Sequence, residues 1–187
     1  MARIQSHLAR CAAALVCAAM LMPLPATAQS FGVTQASYRM HPAYLRQVVP
    51  YPTAERSGTI VIDTNSRFLY FVLGDQRALR YGIGVARPGF EWRGVHRVTR
   101  KAEWPSWTPP AAMRQRQPYL PTFMPGGPDN PMGARALYLG STLYRIHGTN
   151  EPWTIGHTVS SGCIRMTNED VIDLYERIQL NTRVVVL

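Results

Sequence analysis

From Gly58 to the C-terminus the chain breaks into short apolar runs, and this limits the folds open to it more than any other feature. "GTIVIDT" and "RFLYFVL" are rich in β-branched and aromatic residues, with the polar pair "NS" between them and "GDQ" after them. Two such runs around a short polar turn predict a β-hairpin. "LRYGIGV" predicts a third strand, with glycines where backbones approach closely. "GVHRVTRKAEW" alternates as a fourth, and "ARALYLG", "TLYRIHG" and "TRVVVL" continue the series. Only "NEDVIDLYERIQL" carries a sustained helical pattern. Thr167 or Asn168 stands at its cap position, acidic residues fill its first turn, and Val171, Leu174, Tyr175 and Ile178 share one face. "PPAAMRQRQ" predicts a short helix with proline at its start. Together these elements predict a mainly β domain with one or two short helices.

The N-terminal part reads differently. Arg3 and Arg10 precede and flank the apolar run "CAAALVCAAMLM", and "PLPATA" ends in the small-x-small triplet Ala26-Thr27-Ala28. This is the three-part layout of a secretory signal, predicted to cover residues 1–28. The run is shorter than the roughly 20 residues a transmembrane helix needs, so no membrane span is expected after cleavage. Residues 29–57 hold Pro42, Pro50 and Pro52 with little periodicity, and predict an extended lead-in, a linker or a strap over the domain. The domain itself is expected over residues 58–187.

Charge narrows the partners. The signal takes with it two of the 20 basic residues and none of the 11 acidic ones, which lowers the net charge from +9 to +7. A basic exported protein suits an anionic envelope polymer or a membrane surface. The arginines are scattered and no basic run is interleaved with aromatics, so nucleic acid is not an expected partner.

Cleavage would also remove Cys11 and Cys17 and leave Cys163 alone. Exported proteins normally use cysteines in pairs, so an unpaired thiol is either buried and inert or reactive. Its neighbours, in "SSGCIRM", favour reactivity. Gly162 permits a strained turn and close approach of a substrate. Ser160 can fix the turn by local hydrogen bonds. Main-chain N–H groups at Gly162 and Cys163 are candidate donors to a carbonyl oxygen. Arg165 brings a positive charge that would lower the thiol pKa or hold a carboxylate, unless it is spent on Glu169 or Asp170. His147, at the end of "TLYRIHG", can meet the thiol across the intervening loop, and His157 lies in mid-loop. A cysteine nucleophile needs such a base.

The stretch "IHGTNEPWTIGHTVSSGCIRMTNEDVIDLY", residues 146–175, resembles the signature of the L,D-transpeptidase catalytic domain: H-G-T, then I-G, then S-x-G-C-I-R-M, then N-x-D. "GTIVIDTNSRFLYFVL", "ALRYGIGV", "WPSWTPP" and "MPGGPDNPMGARALYL" resemble other segments of that family. The resemblance covers residues 58–187 and departs at "RPGFEWRGVHRV", where similar proteins often show a T-P-x-G turn.

The resemblance implies a β-sandwich or barrel with one or two short helices. It implies Cys163 as nucleophile and His147 as general base or imidazolium partner. Ser160, Gly162, Arg165 and Gly148 would be substrate or oxyanion residues, and Asn168 a support near the helix start; His157 receives no role. The reaction would need no metal or organic cofactor. Its partners would be peptidoglycan stem peptides, or an envelope protein to be attached to the wall, in the periplasm or cell envelope. A carboxypeptidase or amidase using water, and a wall-binding module without activity, are the alternatives. Trp104, Trp107, Tyr119, Phe123 and Trp153 are candidate walls of a cleft, or simply packing residues.

Overall fold

A computed structural model describes residues 38–187. The predicted signal at residues 1–28 lies outside the described residues. The hairpin is formed by β2 (Ile60–Asp63) and β3 (Phe68–Gly74), paired antiparallel. Asp63 nucleates its turn: Oδ1 accepts the main-chain N–H groups of Asn65 and Ser66, both at 3.0 Å. The next strand, β4 (Arg77–Gly82), returns through Asp75 and Gln76, both at positive φ, as a type I′ connection requires.

Beyond it lie β5 (Val85–Ala86), the long β6 (Gly94–Glu103), α1 (Ala111–Arg116), β7 (Arg135–Leu139), β8 (Arg145–His147), β9 (Thr158–Ser160), β10 (Ile164–Arg165), α2 (Asn168–Arg177) and β11 (Arg183–Val186). The strand ahead of the hairpin, β1 (Gln47–Pro50), was not expected from the sequence. It pairs antiparallel with β4 as the edge of the main sheet, so this part of the lead-in belongs to the sheet.

Nine strands run in the order β1-β4-β3-β2-β11-β6-β7-β8-β10, and β5 with β9 form a separate parallel pair. The strand β6 serves both halves of the large sheet. Gly94–Arg97 pair with β11, Val98–Glu103 pair with β7, and the register shifts between Val98 and Arg100. A bulge of this kind bends and twists a strand, and it turns one half of the sheet toward the other. Ile60, Ile62, Leu69, Val98, Leu137, Leu139, Ile146 and Val184 are buried in one apolar core, closed by Val171, Leu174 and Ile178 at α2. The fold is mainly β with two helices, as the sequence implies.

The cap of α2 is Thr167, whose Oγ1 accepts the Asp170 N–H at 3.1 Å. At the other end Lys101 Nζ donates to the carbonyls of Tyr175 (2.6 Å) and Ile178 (2.8 Å), supplying cationic donors where helix carbonyls lack partners. The lead-in fastens to the same helix: Arg46 meets Asp173 at 3.0 Å. Tyr44 fills the space a Cβ would occupy on Gly82 and on Gly156. Among the described residues no helix is long and apolar enough to cross a membrane.

Candidate active site

The site is assembled where β8 and β10 lie side by side. They are parallel, with Ile164 opposite Ile146 and Arg165 opposite His147. One step earlier this register sets Cys163 beside Arg145. Side chains two apart on a strand share a face, so Arg145, His147, Cys163 and Arg165 form one polar group at the end of the pair. Cys163 and His147 are thus diagonal neighbours across the strand pair. Strand pairing thus places the two expected site residues on one face of the sheet.

His147 is 5% exposed. Its Nδ1 lies 2.5 Å from the Gly148 carbonyl oxygen. A carbonyl only accepts, so Nδ1 carries the hydrogen and the neutral ring leaves Nε2 with its lone pair. Burial drives the imidazole pKa down to about 4, the Arg165 and Arg145 charges push the same way, and the Gly148 and Met132 carbonyls oppose them. The ring is therefore neutral over the range in which proteins normally work.

Cys163 is half-buried and is the free cysteine of the described residues. Its Sγ lies 3.9 Å from the Leu143 carbonyl. Burial pushes the thiol pKa up, and Arg145, ahead of Arg165, pulls it back. Burial thus favours the neutral form of both the thiol and the imidazole.

The turn before the thiol is fixed from several sides. Ser160 Oγ accepts the Gly162 N–H at 3.1 Å and donates to the Cys163 carbonyl at 2.6 Å. Gly162 has φ +113°, and a Cβ there would lie 2.7 Å from the Tyr144 ring. Glycine is thus required twice, by conformation and by contact. The Gly162 N–H is engaged by Ser160, while the Cys163 N–H takes no part in these bonds.

The Gly148 N–H donates to the Arg135 carbonyl at 3.0 Å, and its own carbonyl accepts from His147 Nδ1. Asn168 is the expected support. Its Oδ1 accepts the Ala134 N–H at 2.9 Å and fills the space beside Gly133 and Gly148. Arg165 pairs with neither Glu169 nor Asp170 but with Glu151, at 2.9 Å. Its charge reaches the thiol second to that of Arg145.

Arg145 is the residue the sequence reading missed. The signal was present: it stands two residues before His147 in a predicted strand, hence on the same face. Its guanidinium lies 5.2 Å from the Tyr138 ring centroid, which holds it over the sheet. Of the proposed cleft aromatics, Tyr119, Phe123 and Trp153 are each more than half exposed. Trp107 is tied by main-chain bonds to Met124, and His157 presents an exposed side chain with no hydrogen bond.

The chain is 40% identical over 144 residues to the Escherichia coli K12 protein named Probable L,D-transpeptidase ErfK/SrfK, a match covering 73% of this chain and 46% of that one. It therefore spans about half the length of such curated relatives. A Brucella melitensis structure named as a probable carnitine operon oxidoreductase shares 47% identity and a TM-score of 0.53, covering 79% of this chain and 96% of that one. An Enterococcus faecium L,D-transpeptidase structure shares the fold at 18% identity with a TM-score of 0.53, covering 71% and 50%. The family model described as the L,D-transpeptidase catalytic domain, YkuD, matches residues 57–186, and the chain belongs to that family.

Proposed function

We propose that this protein is an exported L,D-transpeptidase that joins peptidoglycan stem peptides through a thioester on Cys163. The observation that carries the reading is the neutral His147–Cys163 pair on one sheet face, with an oriented imidazole and an unengaged Cys163 N–H beside it. Family membership supplies the substrate class.

The donor would be a stem peptide cut between its third residue, a diamino acid, and D-Ala. Cys163 Sγ attacks that carbonyl carbon while its proton passes to His147 Nε2. The new S–C bond places negative charge on the carbonyl oxygen, which the Cys163 N–H receives. Collapse breaks the C–N bond, and the proton on His147 leaves with the amine of D-Ala. A side-chain amine of a second stem then attacks the thioester, His147 takes its proton, the C–S bond breaks and the thiol is restored. The product is a 3–3 cross-link, or a wall-bound protein if the amine belongs to one. Arg145 and Arg165 flank the attack site as counter-charges for the sulfur and for the stem's carboxylates. A dithiol redox reaction would need a resolving cysteine, and Cys163 is the one cysteine among the described residues.

The test is intact mass spectrometry after incubation with disaccharide-tetrapeptide, beside Cys163→Ala and His147→Ala. A thioester on the wild-type protein only, with D-Ala released and a dimeric muropeptide formed, is the expected result. A tripeptide monomer without dimer would make water the acceptor and the enzyme a carboxypeptidase. No adduct and no product would leave a wall-binding module.

A further inference from the structure

The segment that departs from the family pattern is folded against the nucleophile turn, contact by contact. The Arg87 N–H donates to the Ser160 carbonyl at 3.0 Å, and the Arg87 guanidinium donates to Ser161 Oγ at 2.9 Å. Trp92 Nε1–H donates to the Gly162 carbonyl at 2.6 Å. The series reaches residues 160, 161 and 162 in turn and stops short of Cys163. The Trp92 ring lies flat on Tyr144, with centroids 4.1 Å apart and planes 2° from parallel. Tyr144 is also the ring that occupies the missing Cβ position of Gly162.

The carbonyl held by Trp92 belongs to the same peptide unit as the Cys163 N–H. A peptide is planar, so fixing its C=O direction fixes the opposed N–H direction. Ser160 already holds the groups on either side of that unit, the Gly162 N–H and the Cys163 carbonyl. A hydrogen bond accepted at the carbonyl also polarises the N–H on the far side and makes it a better donor.

We infer that Trp92 is a positioning residue for acyl transfer: it aims and strengthens the Cys163 N–H as oxyanion donor by holding the Gly162 carbonyl. The inference rests on the acyl-transfer reading above. It assigns a task to the part of the chain where the family pattern gives no guide.

The experiment uses Trp92→Phe, which keeps a stacked ring and loses the N–H. Three quantities are read with disaccharide-tetrapeptide and with iodoacetamide: the saturating rate of thioester formation, the half-saturating donor concentration, and the rate of Cys163 alkylation. Alkylation at carbon passes through no oxyanion, so it reports the thiol alone. The expected result is a fall of about tenfold in the saturating acylation rate, a fraction of what losing an oxyanion donor outright costs. Half-saturation should stay within about threefold and alkylation within about twofold of wild type. Should Trp92→Phe lose its melting transition, benzothienylalanine at position 92, with sulfur in place of the N–H, preserves the shape and gives the same reading. An unchanged acylation rate overturns the inference, and so does alkylation falling in step with acylation, because Trp92 would then only hold the turn together. A wild-type protein that alkylates but never acylates overturns the proposed function and this role with it.

Discussion

Two parts of the molecule are built on opposite plans. The turn at residues 160–163 is four residues long, and its conformation is over-determined: Ser160 bonds twice within it, Gly162 admits no other residue, and Arg87 and Trp92 hold it from outside. The segment between β6 and β7 runs for some thirty residues and is secured chiefly at its base, with the Arg116 guanidinium 5.3 Å from the Phe90 ring centroid farther out. Buried Asn130 binds the Met124 and Pro125 carbonyls and the Met132 N–H, and Trp107 pairs with Met124. Its outer part, α1 included, buries no side chain of that helix, and Tyr119 is 80% exposed. Reacting atoms must be held to fractions of an ångström. A surface that meets a polymer needs only to present contact area. Under the proposed function, the difference would separate residues whose loss stops chemistry from those whose loss weakens capture.

The strongest way to break this contrast is Gly162→Ala. The strained φ and the clash with Tyr144 should cost about 2 kcal/mol or more of stability, with thioester formation lost; thermal unfolding and intact mass check both. Acidification probes the same turn through its base. His147 binds a proton less readily folded than unfolded, so the unfolded state gains protons first as pH falls. Stability should be intact above pH 6.5 and decline toward pH 4, by about 3 kcal/mol at that point. His147→Gln should flatten this slope in urea titrations. The acid limb of the acylation rate should likewise sit near 4 and not 6.5. Ser160→Ala, which strips a donor and an acceptor from the turn, should cost about 1–3 kcal/mol and slow acylation with little change in donor affinity. The smallest effect sharpens the other side: Tyr119→Ala should leave stability within about 0.5 kcal/mol and the saturating rate unchanged, and raise only the half-saturating donor concentration.

The sequence disclosed elements long enough to show a period. The hairpin of β2 and β3, the Thr167 cap, the buried face of α2 and the last strand could all be read from it. The strands β5, β9 and β10 could not, because two or three residues carry no alternation. The pairing of β10 with β8 sets the register that brings His147, Arg145 and Cys163 onto one face, so the sequence named candidate residues without their geometry. The same limit applies to the turn: the sequence suggested N–H donors at Gly162 and Cys163, and only the folded turn shows that the Gly162 N–H binds Ser160. The edge strand β1 was hidden by its prolines and exposed positions, which read as linker.

Lys101 has a bearing on chemistry beyond its place at the end of α2. It is the only lysine in this sequence, and its ammonium group is held by two carbonyls. The second substrate proposed for this enzyme is an amine. A catalyst that carried accessible lysines would offer itself as a competing acceptor and end up covalently stapled to its own product. With arginine supplying every other basic charge, the protein keeps its cationic surface and presents no free side-chain amine for self-acylation.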